Sequence, residues 1–283
     1  MITISSLLRE AVKILHNARI DNPQFDVEIL MQYTLNIERA TIIVNSNFPV
    51  CRSKLKVFWQ AIEQRANRVP VSQIIGKREF WSKEFVVNAN VLDPRPETET
   101  IISSTFEIYK TKNSRITIAD LGTGTGCIMI TLLSHYHNAV GVAFEKNVKT
   151  YRIAYENLKR HKVYSRTKLL LSSWIECEGE FDLIVSNPPY IKRSKISSLQ
   201  PEVKLYEPFV ALDGGPIGIE NYIQIFQVIK RCLKHNGKAI LEIGEDQVQI
   251  HRIVPNYGLI FCNYVYDLCG KKRCIILSNS AKT

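Results

Sequence analysis

The chain has 283 residues, 45% of them hydrophobic and 23% charged, which excludes a disordered or collagen-like polymer and, at roughly 100 to 200 residues per domain, leaves room for two domains. No run approaches the ~18 uncharged apolar residues of a membrane span, and Arg9, Glu10 and Lys13 arrive with no apolar export core ahead of them. The net charge of +10 raises a nucleic-acid reading, because clustered cations release counterions from phosphate. The excess is spread, however: residues 1–90 hold 12 basic and 8 acidic side chains and the rest of the chain 25 and 19.

In chain order, residues 5–19 place Leu7, Leu8, Val12 and Leu15 at the three- and four-residue spacing of one buried helical face. Residues 26–33 continue with Val27, Leu30 and Met31, and residues 55–68 with Leu55, Phe58, Trp59 and Ile62. Three or four short helices are therefore expected to form a bundle over residues 1–77. Residues 78–87 alternate and carry Phe80, Trp81 and Phe85, which suits a hairpin, whereas Asp93-Pro94-Arg95-Pro96 is too proline-rich for either regular element. Residues 78–97 are read as hairpin and linker, and 98–283 as a second domain.

From about residue 115 the rhythm is strand then helix. Strands are expected at 116–121, 139–144, 168–171, 181–186, 238–243, 259–266 and 274–277, with helices at 127–133 and 148–160. That alternation predicts an α/β domain with a mostly parallel sheet covered on both faces, its ligands at the carboxyl ends of the strands.

The motifs fall at those ends. Asp120-Leu121-Gly122-Thr123-Gly124-Thr125-Gly126 closes the first strand and opens a helix whose N-terminus offers unpaired N–H groups. A dinucleotide loop, G-x-G-x-x-G, puts its third glycine at position 127, which is Cys here. With an acid directly before the glycines, the pattern instead resembles the first motif of class I methyltransferases that use S-adenosylmethionine (AdoMet). Glu145, at the end of the second strand, is placed to accept both ribose hydroxyls, against the plainer reading of a solvated turn residue. Ser172-Ser173-Trp174 offers a hydroxyl and an aromatic plane for adenine, with core packing the plainer reading of Trp174.

Asn187-Pro188-Pro189-Tyr190 leaves the fourth strand on the same edge. Two prolines stiffen the turn and remove competing donors, leaving the Asn187 side-chain oxygen and the Pro188 carbonyl to accept from a planar NH2 group on which Tyr190 stacks. Such a site orients a conjugated, poorly nucleophilic nitrogen toward a methyl donor. These residues leave three nitrogens open: adenine or cytosine in nucleic acid, and glutamine in protein. Seven cysteines without a CxxC pair and six histidines without ligand spacing suggest neither a disulfide frame nor a metal site.

Further stretches narrow the choice: Gly76-Lys77-Arg78-Glu79-Phe80-Trp81, Pro94-Arg95-Pro96-Glu97-Thr98-Glu99, Tyr206-Glu207-Pro208 through Ala211-Leu212-Asp213-Gly214-Gly215, and Asp267-Leu268-Cys269-Gly270 with Arg273. With the glycine loop and NPPY they cover nearly the whole chain, which resembles the release-factor glutamine methyltransferase family (HemK/PrmC). The resemblance implies a Rossmann-like class I AdoMet-dependent methyltransferase domain with a mostly parallel seven-stranded sheet, joined by a β-hairpin linker to a small N-terminal helical bundle that helps dock the substrate. It implies methylation of the side-chain amide of the glutamine in the GGQ motif of class 1 peptide chain release factors. Asn187, Pro188, Pro189 and Tyr190 take the catalytic positions. Asp120, Gly122, Thr123, Gly124, Thr125, Gly126, Glu145, Ser173, Trp174 and Asn187 hold AdoMet. Glu145 stands where the family usually has Asp, and Ser173 where an acid often precedes the aromatic. Leu92-Asp93 also departs from the pattern, and Asp93 is expected to be an exposed turn residue. A cytoplasmic monomer is expected, acting on a protein substrate without nucleic acid, membrane or metal.

Overall fold

In the computed structural model, which describes residues 2–279, the chain divides into one unit of Met1–Lys77 with Gln200–Tyr206 and a second of Arg78–Leu199 with Glu207–Thr283. The first is built from α1 (Ile4–Asn17), α2 (Pro23–Leu35), α3 (Arg39–Val44), α4 (Arg52–Ala66) and α5 (Val71–Ile75). Thr3 and Ser6 cap α1 reciprocally, each side chain accepting the other's backbone N–H at 3.3 and 3.0 Å. Pro23 opens α2, where its missing N–H costs no bond, and Asn36 closes it in a left-handed conformation. The stripes legible in the sequence meet in one core: Leu7, Ala11 and Leu15 against Val27, Leu30 and Met31 and against Phe58 and Ile62. Helices α3 and α5, six and five residues long, are too short to show a period.

Residues 200–206 were expected in the second domain but belong to this unit, and an ion network gives the reason. The Arg65 side chain is 9% exposed and bonds Asp26 at 2.7 Å and Glu202 at 3.0 Å, while Arg68 reaches Glu202 at 2.9 Å. The Gln73 amide donates to the Tyr206 carbonyl (2.9 Å) and the Tyr206 hydroxyl to that of Asn67 (2.6 Å). A guanidinium this buried needs both carboxylates, and one is more than 130 residues away in sequence.

The second unit begins with a hairpin, β1 (Lys77–Phe80) and β2 (Lys83–Val86). Trp81 and Ser82 both have positive φ, the twist that a two-residue hairpin turn requires. Their N–H groups are held by Glu99 and Glu79, at 2.6 Å each. Phe80 and Phe85 are buried in the core of the sheet unit, so residues 78–97, the expected hairpin and proline-rich linker, belong to that unit. A 3-10 turn at Pro96–Thr98 leads into α6 (Glu99–Ile108). The sequence reading left this stretch irregular, but Pro96 sits at the first turn, where proline is compatible with helix.

Then follow β3 (Thr117–Leu121), α7 (Cys127–His135), β4 (Val140–Glu145), α8 (Val148–Arg160), β5 (Thr167–Leu171) and β6 (Phe181–Ser186). The chain continues through α9 (Pro201–Tyr206), α10 (Phe209–Leu212), α11 (Glu220–Cys232), β7 (Leu233–Glu242), β8 (Leu259–Tyr266) and β9 (Lys272–Asn279). The seven-stranded sheet has the order β5-β4-β3-β6-β7-β9-β8, parallel except where β9 runs against β7 and β8. Ile118, Leu183 and Ile240 face Met129, Leu132 and Tyr136 on one side, and Ala119, Ile184 and Leu241 face Tyr222 and Phe226 on the other. From β3 the chain winds outward through β4 to β5, then returns to β6 on the opposite side. The crevice at that reversal, between the carboxyl ends of β3 and β6, is where such sheets take ligands.

Arg65→Ala should leave Asp26 and Glu202 partly buried without their shared cation. The expected cost is about 2 to 3 kcal/mol, read as a lower urea midpoint at unchanged slope. A loss below about 0.5 kcal/mol would place this network among ordinary surface ion pairs.

Candidate active site

A cleft opens at the carboxyl ends of β3, β4, β5 and β6 in the second unit, lined by residues from all four strand ends. Gly122, Thr123, Gly124 and Thr125 form its floor, Glu145, Ser173 and Trp174 one wall, and Asn187 and Pro189 the other. Nine residues separated by up to 67 positions in sequence are thus grouped because four parallel strands end on one edge. Asp120, Gly126, Pro188 and Tyr190 stand behind this lining rather than in it.

The loop geometry explains its residue types. The Gly122 and Thr123 N–H groups both donate to the Phe144 carbonyl, at 3.0 and 2.9 Å, tying the loop to β4. Gly122 has φ near +80, and a Cβ there would lie 3.1 Å from the Trp174 ring, so any larger residue would be strained and would crowd the indole. Asp120 is fully buried and accepts from the Thr123 hydroxyl at 2.6 Å. Burial pushes its carboxyl up to about 7 against the favourable Thr123 and Met129 bonds, with Glu145 adding to the rise. Asp120 therefore shapes the loop from behind.

Glu145 accepts the Gly124 N–H at 3.3 Å and the Asn147 N–H at 2.8 Å, and burial raises its carboxyl above the ordinary value. It is a fixed acceptor on the cleft wall rather than a solvated turn residue. Trp174 is 8% exposed, so it is both core and wall: its ring packs with Phe144 and Phe181, and its Nε1–H donates to Gln224 at 3.2 Å. The Ser173 hydroxyl accepts the Ile175 N–H at 3.3 Å and thereby holds the turn that presents the indole. A carboxylate beside the glycine loop, an indole edge and a floor of alternating glycines and threonines fit AdoMet: ribose on Glu145, adenine toward Ser173 and Trp174, and the amino-acid end over the loop.

At the other wall, Asn187 donates from Nδ2 to the Thr98 hydroxyl at 3.0 Å. Among the described residues no donor reaches Asn187 Oδ1 or the Pro188 carbonyl, so two acceptors remain at the end of β6. The Pro189 carbonyl accepts from Asn221 at 2.7 Å and the Tyr190 carbonyl from Gln247 at 2.9 Å. Both bonds fix the backbone whose prolines already limit it. The Leu212–Gly214 stretch straps the turn, exchanging backbone bonds with Ile191 at 3.1 and 2.8 Å. A Cβ at Gly214 would meet the Tyr190 backbone at 2.6 Å, which accounts for glycine in the ALDGG stretch.

Several participants carried no assigned role in the sequence reading. Arg95 grips Glu207 through both carboxylate oxygens, at 2.6 and 2.7 Å, joining the PRPETE and EPxxALDGG stretches. The Glu207 carboxyl is pushed up to about 7 by burial, with Asp93 adding to the rise and Arg95 opposing it. Asp93 itself is 4% exposed and lines the cleft, so the expectation of an exposed turn residue is corrected: the rigid Asp-Pro-Arg-Pro run carries it inward. Thr98 lines the cleft beside Asn187, and Glu242 is buried behind both Thr98 and Tyr190. The available signal for Glu242 was an acid ending the apolar run Ala239-Ile240-Leu241.

Comparison with known proteins follows the same division. The family model for the PrmC N-terminal domain matches residues 6–76, and that for the methyltransferase small domain matches residues 100–202. The release factor glutamine methyltransferase of Caulobacter vibrioides is 36% identical over 265 residues, spanning 93% of this chain and 91% of its own. That of Cereibacter sphaeroides is 37% identical over 270 residues, 95% of each chain. A solved methyltransferase from Pyrococcus furiosus shares the fold, with a TM-score of 0.52 at 17% identity, over 77% of this chain and 100% of its own. Spanning both units at this identity and at nearly full length, the chain belongs to the release factor glutamine methyltransferase family.

Proposed function

We propose that this protein methylates the side-chain amide nitrogen of the glutamine in the GGQ motif of class 1 peptide chain release factors, in the cytoplasm where translation terminates, with AdoMet as donor. The observation that carries the reading is the pair of unpartnered acceptors, Asn187 Oδ1 and the Pro188 carbonyl, beside a cleft whose opposite wall fits AdoMet. A glutamine amide has two N–H bonds and a delocalised lone pair. Directing both bonds to fixed acceptors aims the nitrogen along the cleft and favours the pyramidal geometry it must reach to form a bond. Tyr190 stands behind that position, its hydroxyl held by Glu242 at 3.1 Å.

Bound in the cleft, AdoMet supplies an electrophilic methyl group on its sulfonium sulfur. Glu145, Ser173 and Trp174 orient its nucleoside end, and Asp120 acts through Thr123 on the loop that carries its amino-acid end. No strong base is required before the transfer, because an N-alkylated amide cation sheds its proton readily to water. The strapped turn at Pro189 and Tyr190 keeps the acceptors at one separation during the reaction, which is a positioning contribution.

Incubation with AdoMet labelled in its methyl group, in the presence of a release factor, RNA and DNA together, is expected to label only the release factor. Label in nucleic acid alone would overturn the reading in favour of an exocyclic-amine methyltransferase. Asn187→Ala is expected to lower kcat roughly 100-fold with AdoMet affinity within about threefold by calorimetry. A loss below about tenfold, or ~1.4 kcal/mol of barrier, contradicts the acceptor role.

Asp120 gives a second, independent prediction. With its folded-state value near 7 and an ordinary value in the unfolded chain, the folded protein holds a proton that the unfolded chain has released. Stability is therefore lost as pH rises from about 4 to about 7 and stays lost above. The neutral variant Asp120→Asn should gain thermal stability over the parent, without AdoMet, as pH goes from about 5 to about 8. A difference in melting temperature that does not change with pH would show that Asp120 is not titrating in this range.

A further inference from the structure

From Asn187 and Thr98 in the cleft lining a hydrogen-bonded relay runs back to a carboxylate buried under the site. Glu242, at the end of β7, is 1% exposed. Its Oε2 accepts from the Thr98 hydroxyl at 2.6 Å and its Oε1 from the Tyr190 hydroxyl at 3.1 Å, so each oxygen is committed to one side chain of the site. Its backbone carbonyl accepts from the Tyr222 hydroxyl at 2.8 Å, which fixes the strand end. Thr98, itself 2% exposed, accepts from Asn187 Nδ2 at 3.0 Å.

The polarity of this relay runs one way. An ionised carboxylate only accepts, so the Thr98 proton must point at Glu242. The hydroxyl then turns its lone pairs toward Asn187, and the group it can receive there is an N–H. The reverse orientation of the Asn187 amide would set Oδ1 against the Thr98 oxygen, two acceptors face to face in a buried place where an unmade bond is costly. The amide is therefore held with Oδ1 away from Thr98. We propose that Glu242 is a positioning residue for the methyl transfer: acting through Thr98, it fixes which end of the Asn187 amide faces the substrate nitrogen, while its second oxygen anchors Tyr190. This rests on the reading of Asn187 as a substrate acceptor.

The surroundings act on this carboxyl in both directions. Burial pushes it up to about 7 and Glu97 adds to the rise, while Thr98, Tyr190 and Arg273 oppose it. Arg273 is itself held by Asp267 at 2.7 Å. The other titratable groups facing Glu242 are the Tyr190 and Tyr222 phenols and the Cys127 and Cys274 thiols, each raised by burial and neutral at physiological pH. Above pH 7 Glu242 is thus an acceptor for the Thr98 and Tyr190 hydroxyls, with neutral phenols and thiols around it and Arg273 as the opposing cation.

Steady-state methylation of a release factor by the full chain, at about pH 8.5 where the carboxylate is ionised, tests the assignment. Thr98→Val, which keeps shape and removes the hydroxyl, and Glu242→Gln, which gives the relay a donor at its end, are each expected to lower kcat roughly 10- to 100-fold. The KM for AdoMet should stay within about threefold for both, and Thr98→Ser should recover most of the rate. Thr98→Val combined with Asn187→Ala should be little slower than Asn187→Ala alone, since Thr98 acts through Asn187. Unchanged kcat in Thr98→Val, a rise confined to the AdoMet KM, or fully multiplicative effects in the double variant would each overturn the assignment. If Asn187→Ala alone leaves kcat unchanged, the acceptor reading itself has failed. If Asn187→Ala slows the reaction and Thr98→Val does not, only the relay has failed. A Glu242→Gln protein that does not fold leaves the three Thr98 comparisons to decide.

Discussion

Everything at the site depends on one constraint of the sheet: β3, β4, β6 and β7 are parallel neighbours, so they deliver their last residues to a single edge. Parallel pairing forces each connection to cross over the sheet, which places helices on both faces and leaves the carboxyl edge free for loops. The glycine loop leaves β3, Glu145 ends β4, Asn187 leaves β6 and Glu242 ends β7. No other arrangement of the chain is needed to bring a cofactor wall and an acceptor wall to opposite sides of one cleft. The PRPETE and EPxxALDGG stretches then close the site from outside the sheet, locked together by the Arg95–Glu207 pair.

The second common feature is electrostatic. Asp120, Glu207 and Glu242 are all buried near this edge, and burial pushes each carboxyl up to about 7. Such groups oppose folding of the ligand-free protein at neutral pH, and their concentration around one cleft is the pattern expected of a working site rather than of a core selected for stability. Each has a distinct occupation. Asp120 shapes a loop, Glu207 clamps two motifs, and Glu242 sets the polarity of a relay.

The sequence made the frame of this site readable, and distance decided what stayed hidden. Apolar runs and an alternating strand–helix rhythm located the sheet, while Asp120 to Gly126 and Asn187 to Tyr190 marked two of its loops by residue type alone. Helices α3 and α5 were invisible because five or six residues hold no period. Helix α6 was hidden by the prolines before it. Asp93, Thr98 and Glu242 were missed for a different reason: a polar residue is buried only when a partner meets it, and the Thr98 partner lies 144 positions on. The spread of charge already argued against a nucleic-acid stripe, and the structure adds the pairs. In the basic runs at Lys192, Arg193 and Lys195 and at Lys271, Lys272 and Arg273, Arg193 binds Asp213 and Lys195 binds Asp246 at 2.7 Å, and Lys271 binds Glu245 at 2.5 Å. Such paired cations are poor candidates for a phosphate-binding stripe.

The central claim, that the acceptor wall receives a glutamine amide, is tested most directly by fragmentation mass spectrometry of a release factor after reaction with AdoMet. The account predicts a single added methyl group on the side chain of the GGQ glutamine, and none on a factor in which that glutamine is replaced by glutamate. A methyl group on any other residue, or equal modification of the glutamate form, would contradict it.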